Sequence, residues 1–292
     1  MQPLAGHLVV DFTRQLPGPY ASRELMRLGA RVVKVEPPEG DPMQHGAPAW
    51  YDAVNAGKEI VTWDRASGSP VAQDLCDGAD VILDGFRPGV FERLELRVPE
   101  TAVVCAITGF GDEGRHARRA GHDLNYMGWA GALADTAPGI PPVQAADLAA
   151  GALCAIVDIL AALLERSRTG RGRRITISMT HGAHRLVAHR HGGDVVVPRL
   201  LTGGAPCYSI YPTADGRFLT VAALEPKFWQ RLCQLLERDD LVARQYEPAA
   251  SEDLAAVIAT RSLAEWLELF DGEDVCVGPV STVEEAAAEF GA

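Results

Sequence analysis

Short apolar runs rich in β-branched residues recur through the first half of the chain, separated by stretches with helical spacing. This alternation constrains the fold more than any other feature. Residues 7–12 (HLVVDF) read as a buried strand. Pro17-Gly18-Pro19 then breaks the chain, residues 20–28 carry apolar positions at helical spacing, and Gly29 ends that helix. ARVVKVE (30–36) is the next strand, closed by Pro37-Pro38-Glu39-Gly40. A strand–helix–strand unit of this kind implies a parallel sheet with right-handed crossovers. EIVTWD (59–64), ADVILDGF (79–86) and AVVCAITGFG (102–111) continue the strands, with a helix over 71–76. The first half is therefore an α/β sheet. Ligands of open α/β sheets sit beyond the carboxyl ends of the strands, so the loops GPY, EPPEGD, FRPGV and TGFG are where a site is expected.

The second half changes character. Residues 148–166 form a long apolar helix, TGRGRR (169–174) ends it, and ITISM (175–179) is a strand. A histidine-rich stretch (His181, His184, His189, His191) and two glycine pairs, at 192–193 and 203–204, follow. Residues 207–224 read as a β-hairpin turning at Asp215-Gly216, and FWQRLCQLLE and LAEWLELF as amphipathic helices. The last residues, VEEAAAEFGA, also read as helical. The expected division is a large domain over 1–190, a linker over 191–204 and a small α+β domain over 205–292.

The chain has 39 Asp and Glu against 27 Lys and Arg, a net charge of −12, which argues against a nucleic-acid partner. A local basic site for a small anion is still compatible with that balance. There is no uninterrupted apolar run of membrane-spanning length and no basic leader ahead of an apolar stretch, so the expected location is cytoplasmic, with no membrane span. The six cysteines are far apart and form no CxxC pair, so zinc spacing is absent and reduced thiols are expected.

Several residues can carry chemistry. In Gly121-His122-Asp123-Leu124-Asn125-Tyr126, a His beside an Asp stands just before an apolar segment, where free N–H groups of a helix start stabilise negative charge. An Asp that merely caps the helix reads equally well. Asp147 is the one charged residue between Asp135 and Asp158 and also reads as a cap. Glu225, before Pro226, reads as a helix opener. The spacings of the four histidines match no metal-ligand set, and a solvated loop or an interface fits them better. Lys58, Arg87, Arg115, Arg118 and Arg119 lie near the glycine-rich strand exits and are available to phosphates through charge-assisted bonds, or form an ordinary charged surface. Neither GxGxxG after the first strand nor GxxxxGK[ST] occurs.

VVDFTRQLPGPYASRELMRLGARVVKVEPPEGDP, ADVILDGFRPGVFERL, AITGFGDEG, AGHDLNY and LLERSRTGRGRRITISM together resemble the family III CoA-transferases (the CaiB/BaiF family), collinearly and over nearly the whole chain. Within that family, GHDLNY, GGAPCYSIYPTADGRFLTVAALEPKF and the segment from Phe270-Asp271-Gly272 through VCVGPVSTVEEA are most similar to α-methylacyl-CoA racemases. The resemblance implies a Rossmann-like large domain with a parallel sheet and a smaller α+β domain. It implies inversion at C2 of a 2-methyl-branched acyl-CoA, in lipid metabolism, by two groups trading roles as acid and base through an enolate. His122 and Asp147 are then the two bases. Glu225 orients His122, and a backbone N–H near Asp123 holds the enolate oxygen. No metal or redox cofactor is implied, since the CoA thioester is the substrate.

Lys58 and Arg87 are the implied contacts to CoA phosphates, and Tyr126 and Met127 line an acyl pocket. Two alternatives stand beside this reading. One is an acyl-CoA:carboxylate transferase with Asp123 as nucleophile, and the other is a non-catalytic CoA-binding relative. Two features depart from the racemase pattern: Pro37 stands where racemases usually place an Arg, and the basic run before the third strand is reduced to Gly57-Lys58-Glu59. The family also implies an interlocked homodimer and a return segment from the small domain to the large one, which this sequence does not reach.

Overall fold

A computed structural model describes residues 2–190 and 199–291. The chain divides into two compact units, 1–192 and 193–292. His191 and much of the expected 191–204 linker lie outside the described residues.

The first unit opens with β1 (Leu8–Asp11), α1 (Pro17–Arg27), β2 (Arg31–Glu36), α2 (Pro42–Gly46), α3 (Pro48–Asn55) and β3 (Glu59–Thr62). It continues with α4 (Val71–Asp77), β4 (Val81–Asp84), β5 (Val103–Thr108) and α5 (Asp123–Trp129). A π-helical segment (Ala146–Leu153) then runs directly into α6 (Cys154–Thr169), followed by β6 (Arg174–Ser178) and α7 (Met179–Leu186). The six strands are all parallel, in the order β3-β2-β1-β4-β5-β6. The order reverses between β1 and β4, which opens a crevice at their carboxyl ends.

Successive strand residues serve opposite faces of this sheet. Val9, Leu83 and Cys105 join the core under α1, α5 and α6, while Val10, Ile82 and Val104 pack on the other side with Phe12, Cys76 and Phe91. Burial on both faces explains why these strands read as continuous apolar runs. The stretch Ala146–Thr169 is long and apolar enough to cross a membrane by length and composition. Here its inner face, with Ala155, Ile156, Ile159, Ala162 and Leu163 buried, is part of the core against the sheet. Asp147 and Asp158 interrupt the apolar run that precedes Glu165.

The second unit holds β7 (Tyr208–Pro212), β8 (Phe218–Ala222), α8 (Pro226–Leu235), α9 (Ala250–Ile258), α10 (Leu263–Leu269), β9 (Val277–Pro279) and α11 (Val283–Phe290). β7, β8 and β9 form an antiparallel sheet over a core that includes Trp229, Leu232 and Trp266. The hairpin turns at Asp215-Gly216, where Gly216 takes a φ of +75°. Among the described residues the histidine-rich stretch is not a loop. His181 and His184 lie on α7, where His181 Nδ1 is 2.7 Å from Ser178 Oγ and His184 Nδ1 is 3.0 Å from the Ala130 carbonyl. No metal-holding cluster of His, Cys, Asp or Glu occurs among the described residues.

The end of β1 holds a buried ionic network. Asp11 is fully buried and accepts hydrogen bonds from the Thr13 N–H at 2.9 Å and from the Thr13 and Ser22 hydroxyls. Lys58 Nζ lies 3.4 Å from Asp11 and donates to the Pro19 carbonyl (2.9 Å) and Asn55 Oδ1 (2.8 Å). Lys34 Nζ reaches the Thr13 carbonyl (2.7 Å) and Asp41 (3.1 Å). Burial alone would raise the Asp11 pKa, but the Lys58 and Lys34 charges and the two hydroxyls outweigh it and hold the carboxyl below its ordinary value. Burial lowers Lys58 to about 8, against the pull of Asp11.

Removing one partner of a buried ion pair strands the other charge. Asp11→Ala is therefore expected to cost about 3–5 kcal/mol of folding stability, read from urea denaturation of the two proteins at pH 7.

Candidate active site

An open pocket of about 540 Å³ sits at the crevice between β1 and β4. Its walls come from the β1 exit (Thr13 to Gly18), the β4 exit (Gly85 to Pro88), the β5 exit, and the loop that runs into His122, Asn125 and Tyr126. Gln15, on the first of these loops, holds a left-handed φ of +65°, a conformation a non-glycine residue adopts only when its surroundings impose it.

His122 is the N-cap of α5 and is exposed, with its side chain on the pocket wall. Its backbone N–H donates to Asn125 Oδ1 at 3.1 Å, and its carbonyl accepts from the Asn125 and Tyr126 N–H groups, which fixes where the imidazole emerges. Tyr126 supports it from below. Its hydroxyl donates to the Gly121 carbonyl, and its ring meets Phe110 edge-on at 5.3 Å. A Cβ on Gly109 would come within 2.6 Å of the Tyr126 ring, and one on Gly121 within 2.8 Å. Both glycines are bare because the ring occupies their side-chain space. Tyr126 therefore wedges the β5 exit against the His122 loop, while Met127 is buried in the core beside it.

Asp123 and Asp147 are half-buried and adjacent. Asp147 is the second residue of the π-helical segment, and its backbone N–H donates to Asp123 Oδ1 at 2.9 Å. Desolvation, reinforced by the Asp123 charge, raises the Asp147 pKa to about 7. Small residues place this segment: a Cβ on Gly182 of α7 would stand 2.7 Å from Ala150 Cβ, and one on Gly151 would stand 3.0 Å from Met179 Cγ. The pattern AAGAL thus admits a close crossing with α7. Burial, and next the Asp147 charge, raise the Tyr126 pKa, with Arg87 opposing.

The sequence-predicted residues fare differently. His122, Tyr126 and Arg87 line one pocket, and Asp147 meets Asp123, the residue after His122; neither aspartate is among the residues that line the pocket. Lys58 is not available to a phosphate: its side chain is wholly buried and its ammonium is engaged by Asp11, Pro19 and Asn55. The phosphate role expected of Lys58 is replaced by a structural one, because its donors are all satisfied inside the fold. Glu225 lies in the second unit, exposed at the N-cap of α8, and its pairing with His122 stays an expectation of the resemblance. Sequence reasoning missed Arg14 and Asp84. Arg14 lines the pocket directly after β1, and its place at a strand exit was the signal available. Asp84 is buried, accepts the Phe86 N–H at 2.8 Å and so braces the loop that carries Arg87; burial raises its pKa to about 6.

Comparison with known proteins identifies the lineage. The family model described as CoA-transferase family III matches residues 4–290. The chain belongs to that family. It is 35% identical over 307 residues to the α-methylacyl-CoA racemase of Homo sapiens, covering 97% of this chain and 78% of the relative, and 36% identical to that of Mus musculus, covering 97% and 79%. The probable fatty acyl-CoA transferase of Mycobacterium tuberculosis is 33% identical, over 92% of this chain and 80% of its own. Its crystal structure superposes with a TM-score of 0.83 at 30% identity, covering 98% of this chain and 85% of that one. The fold is thus shared with a solved structure of the family.

The raised Asp147 pKa has a stability consequence. Between its ordinary value of 3.8 and about 7, the folded chain keeps a proton on Asp147 that the unfolded chain releases, so the group's contribution to stability falls as pH rises through that window. Asp147→Asn cannot ionise and lacks this fall. Its urea midpoint relative to the parent protein is expected to be higher at pH 8 than at pH 4. A second prediction concerns the wedge: Gly121→Val forces the Tyr126 ring to move, and the near-ultraviolet circular dichroism of the aromatic cluster is expected to change together with a loss of activity.

Proposed function

We propose that this chain is a racemase that inverts C2 of a 2-methyl-branched acyl-CoA thioester. The observation that supports the reading is an exposed His122 on the pocket wall whose neighbour Asp123 accepts the N–H of Asp147, a residue whose carboxyl pKa is raised to about 7. The thioester carbonyl acidifies the C2 proton. His122, in its base form, takes that proton; the C2–H electron pair moves onto the carbonyl oxygen, giving a planar enolate. Asp147, in its acid form, delivers a proton to the opposite face of C2, and the pair returns to C2 as the carbonyl re-forms. The reverse direction exchanges the two roles. A pKa of about 7 suits Asp147 to this task, because both its acid and base forms are populated near neutral pH. The enolate oxygen is assigned to the backbone N–H near Asp123, a kind of contact whose loss costs about 3–4 kcal/mol.

The family's transferase chemistry is the second reading, favoured by Asp123. That carboxylate is only half-buried and already oriented by the Asp147 N–H. In a transferase it attacks the thioester carbonyl carbon, the C–S bond breaks, CoA leaves as thiolate, and an aspartyl mixed anhydride carries the acyl group.

Deuterium exchange separates the two. In heavy water, with a 2-methylacyl-CoA of single configuration and no acceptor acid, the racemase reading requires label at C2 together with inversion. His122→Ala is expected to lower that rate by about 10²–10⁴-fold, the usual worth of a general acid or base. In a second assay with a free carboxylic acid added as acceptor, transfer of CoA from the 2-methylacyl-CoA to that acid, with no exchange at C2, would sink the racemase reading and make Asp123 the nucleophile.

A further inference from the structure

The pocket at the β1/β4 crevice inverts the charge of the molecule. The chain carries 39 acidic residues against 27 Lys and Arg, yet the pocket lining contains Arg14, Arg87 and Arg119 and no Asp or Glu. Among the described residues none of these three arginines has an ion-pair partner, unlike Arg31, Arg217 and Arg231, which are paired with carboxylates; unpaired arginines, Arg168 among them, also occur outside the pocket. Arg119 is also held in place: its guanidinium lies 5.0 Å over the Trp129 ring, which itself packs against His116 at 4.5 Å. A stacked guanidinium keeps its N–H edges free for an anion. Arg14 stands on the loop anchored by the Asp11 network, and Arg87 on the loop braced by Asp84.

The cation expected to meet the phosphates, Lys58, is consumed inside that same network, and position 37 is a proline. An anionic ligand entering this crevice therefore meets guanidinium groups rather than an ammonium. We propose that Arg14 and Arg119, together with Arg87, form the phosphate-binding site for the CoA portion of the substrate. The inference rests on the CoA-thioester reading above. A planar guanidinium offers two parallel N–H donors to two phosphate oxygens, and three of them around one crevice suit a ligand with several phosphate groups. Arg119 and His122 share one pocket, so the phosphate-bearing end and the reacting end of the ligand are served by a single loop between β5 and α5.

The test is calorimetric binding of free CoA and of pantetheine, which lacks the phosphates, to the full chain. The parent protein is expected to bind CoA more tightly than pantetheine. In the R14Q/R119Q double variant, CoA affinity is expected to fall at least about tenfold while pantetheine affinity changes less than about twofold, as for loss of charge-assisted bonds to phosphate. The dependence of CoA affinity on salt should become shallower in the same variant. Both side chains are exposed, so the fold is expected to persist, checked by thermal melting; R168Q, an exposed arginine on α6 outside the pocket, should leave CoA affinity unchanged. If the double variant binds CoA as the parent does, the assignment of Arg14 and Arg119 is wrong while the CoA-thioester reading stands. If CoA binding is kept but the variant loses a preference for succinyl-CoA over butyryl-CoA, the arginines serve an acyl carboxylate and the proposal is overturned. If the parent binds neither CoA nor pantetheine, the thioester reading fails and this proposal fails with it.

Discussion

The carboxylate of Asp11 organises the part of the molecule on which the site depends. It sits at the end of a central strand, out of water, with two ammonium groups and two hydroxyls around it. A charge in that position is tolerable only when every lone pair is occupied. Satisfying it ties the β1 exit to α1 through Ser22 and to the start of β3 through Lys58. The same bonds fix the loop that contributes Thr13, Arg14 and Gln15 to the pocket. The close fit of Gly18 against Thr13, where a Cβ would fall 2.1 Å from the hydroxyl oxygen, completes that turn. The crevice that topology opens between β1 and β4 is thus given its shape by electrostatics.

On the opposite wall, shape comes from packing. Tyr126 holds two glycine-bearing loops apart by filling the space beside both, and the capping contacts of α5 present His122 outward. The two carboxylates behind it interact through a backbone N–H and through their mutual charge, so the acid strength of one depends on the position of the other. The two walls are therefore held by different forces, one by a buried ionic network and the other by packing.

Much of this was legible in the sequence. The strands β1, β2, β4 and β5 announce themselves because residues buried on both faces leave unbroken apolar runs, and His122, Asp123 and Asp147 stand out as polar residues where apolar ones are expected. What was not legible depends on distance along the chain. Lys58 looks like a surface cation at a strand entry; only the fold brings Asp11 to it, 47 residues away. The helices α2 and α3 escape notice because each is short and opens on a proline, Pro42 and Pro48, which reads as a break until the preceding residue is seen to act as a helix start. Asp84 reads as an ordinary strand-end carboxylate until its burial and its bond to Phe86 are seen. The second strand pairing of the small sheet, with only Val277–Pro279, is too brief to carry a pattern.

The π-helical turn before α6 carries a constraint on length rather than on side-chain identity. Residues 146–153 are wound more widely than α6, which follows without a break. Removing one residue from the wide turn would let it close to ordinary α geometry and swing Asp147 by about 100° around the axis, relative to the stripe that α6 presses onto the sheet. The carboxyl would then leave Asp123 although no residue of the pair had changed. Homologous chains that keep this chemistry should accordingly accept substitutions within this turn far more readily than insertions or deletions, so the spacing between the acid and the core helix is itself an inherited character of the site.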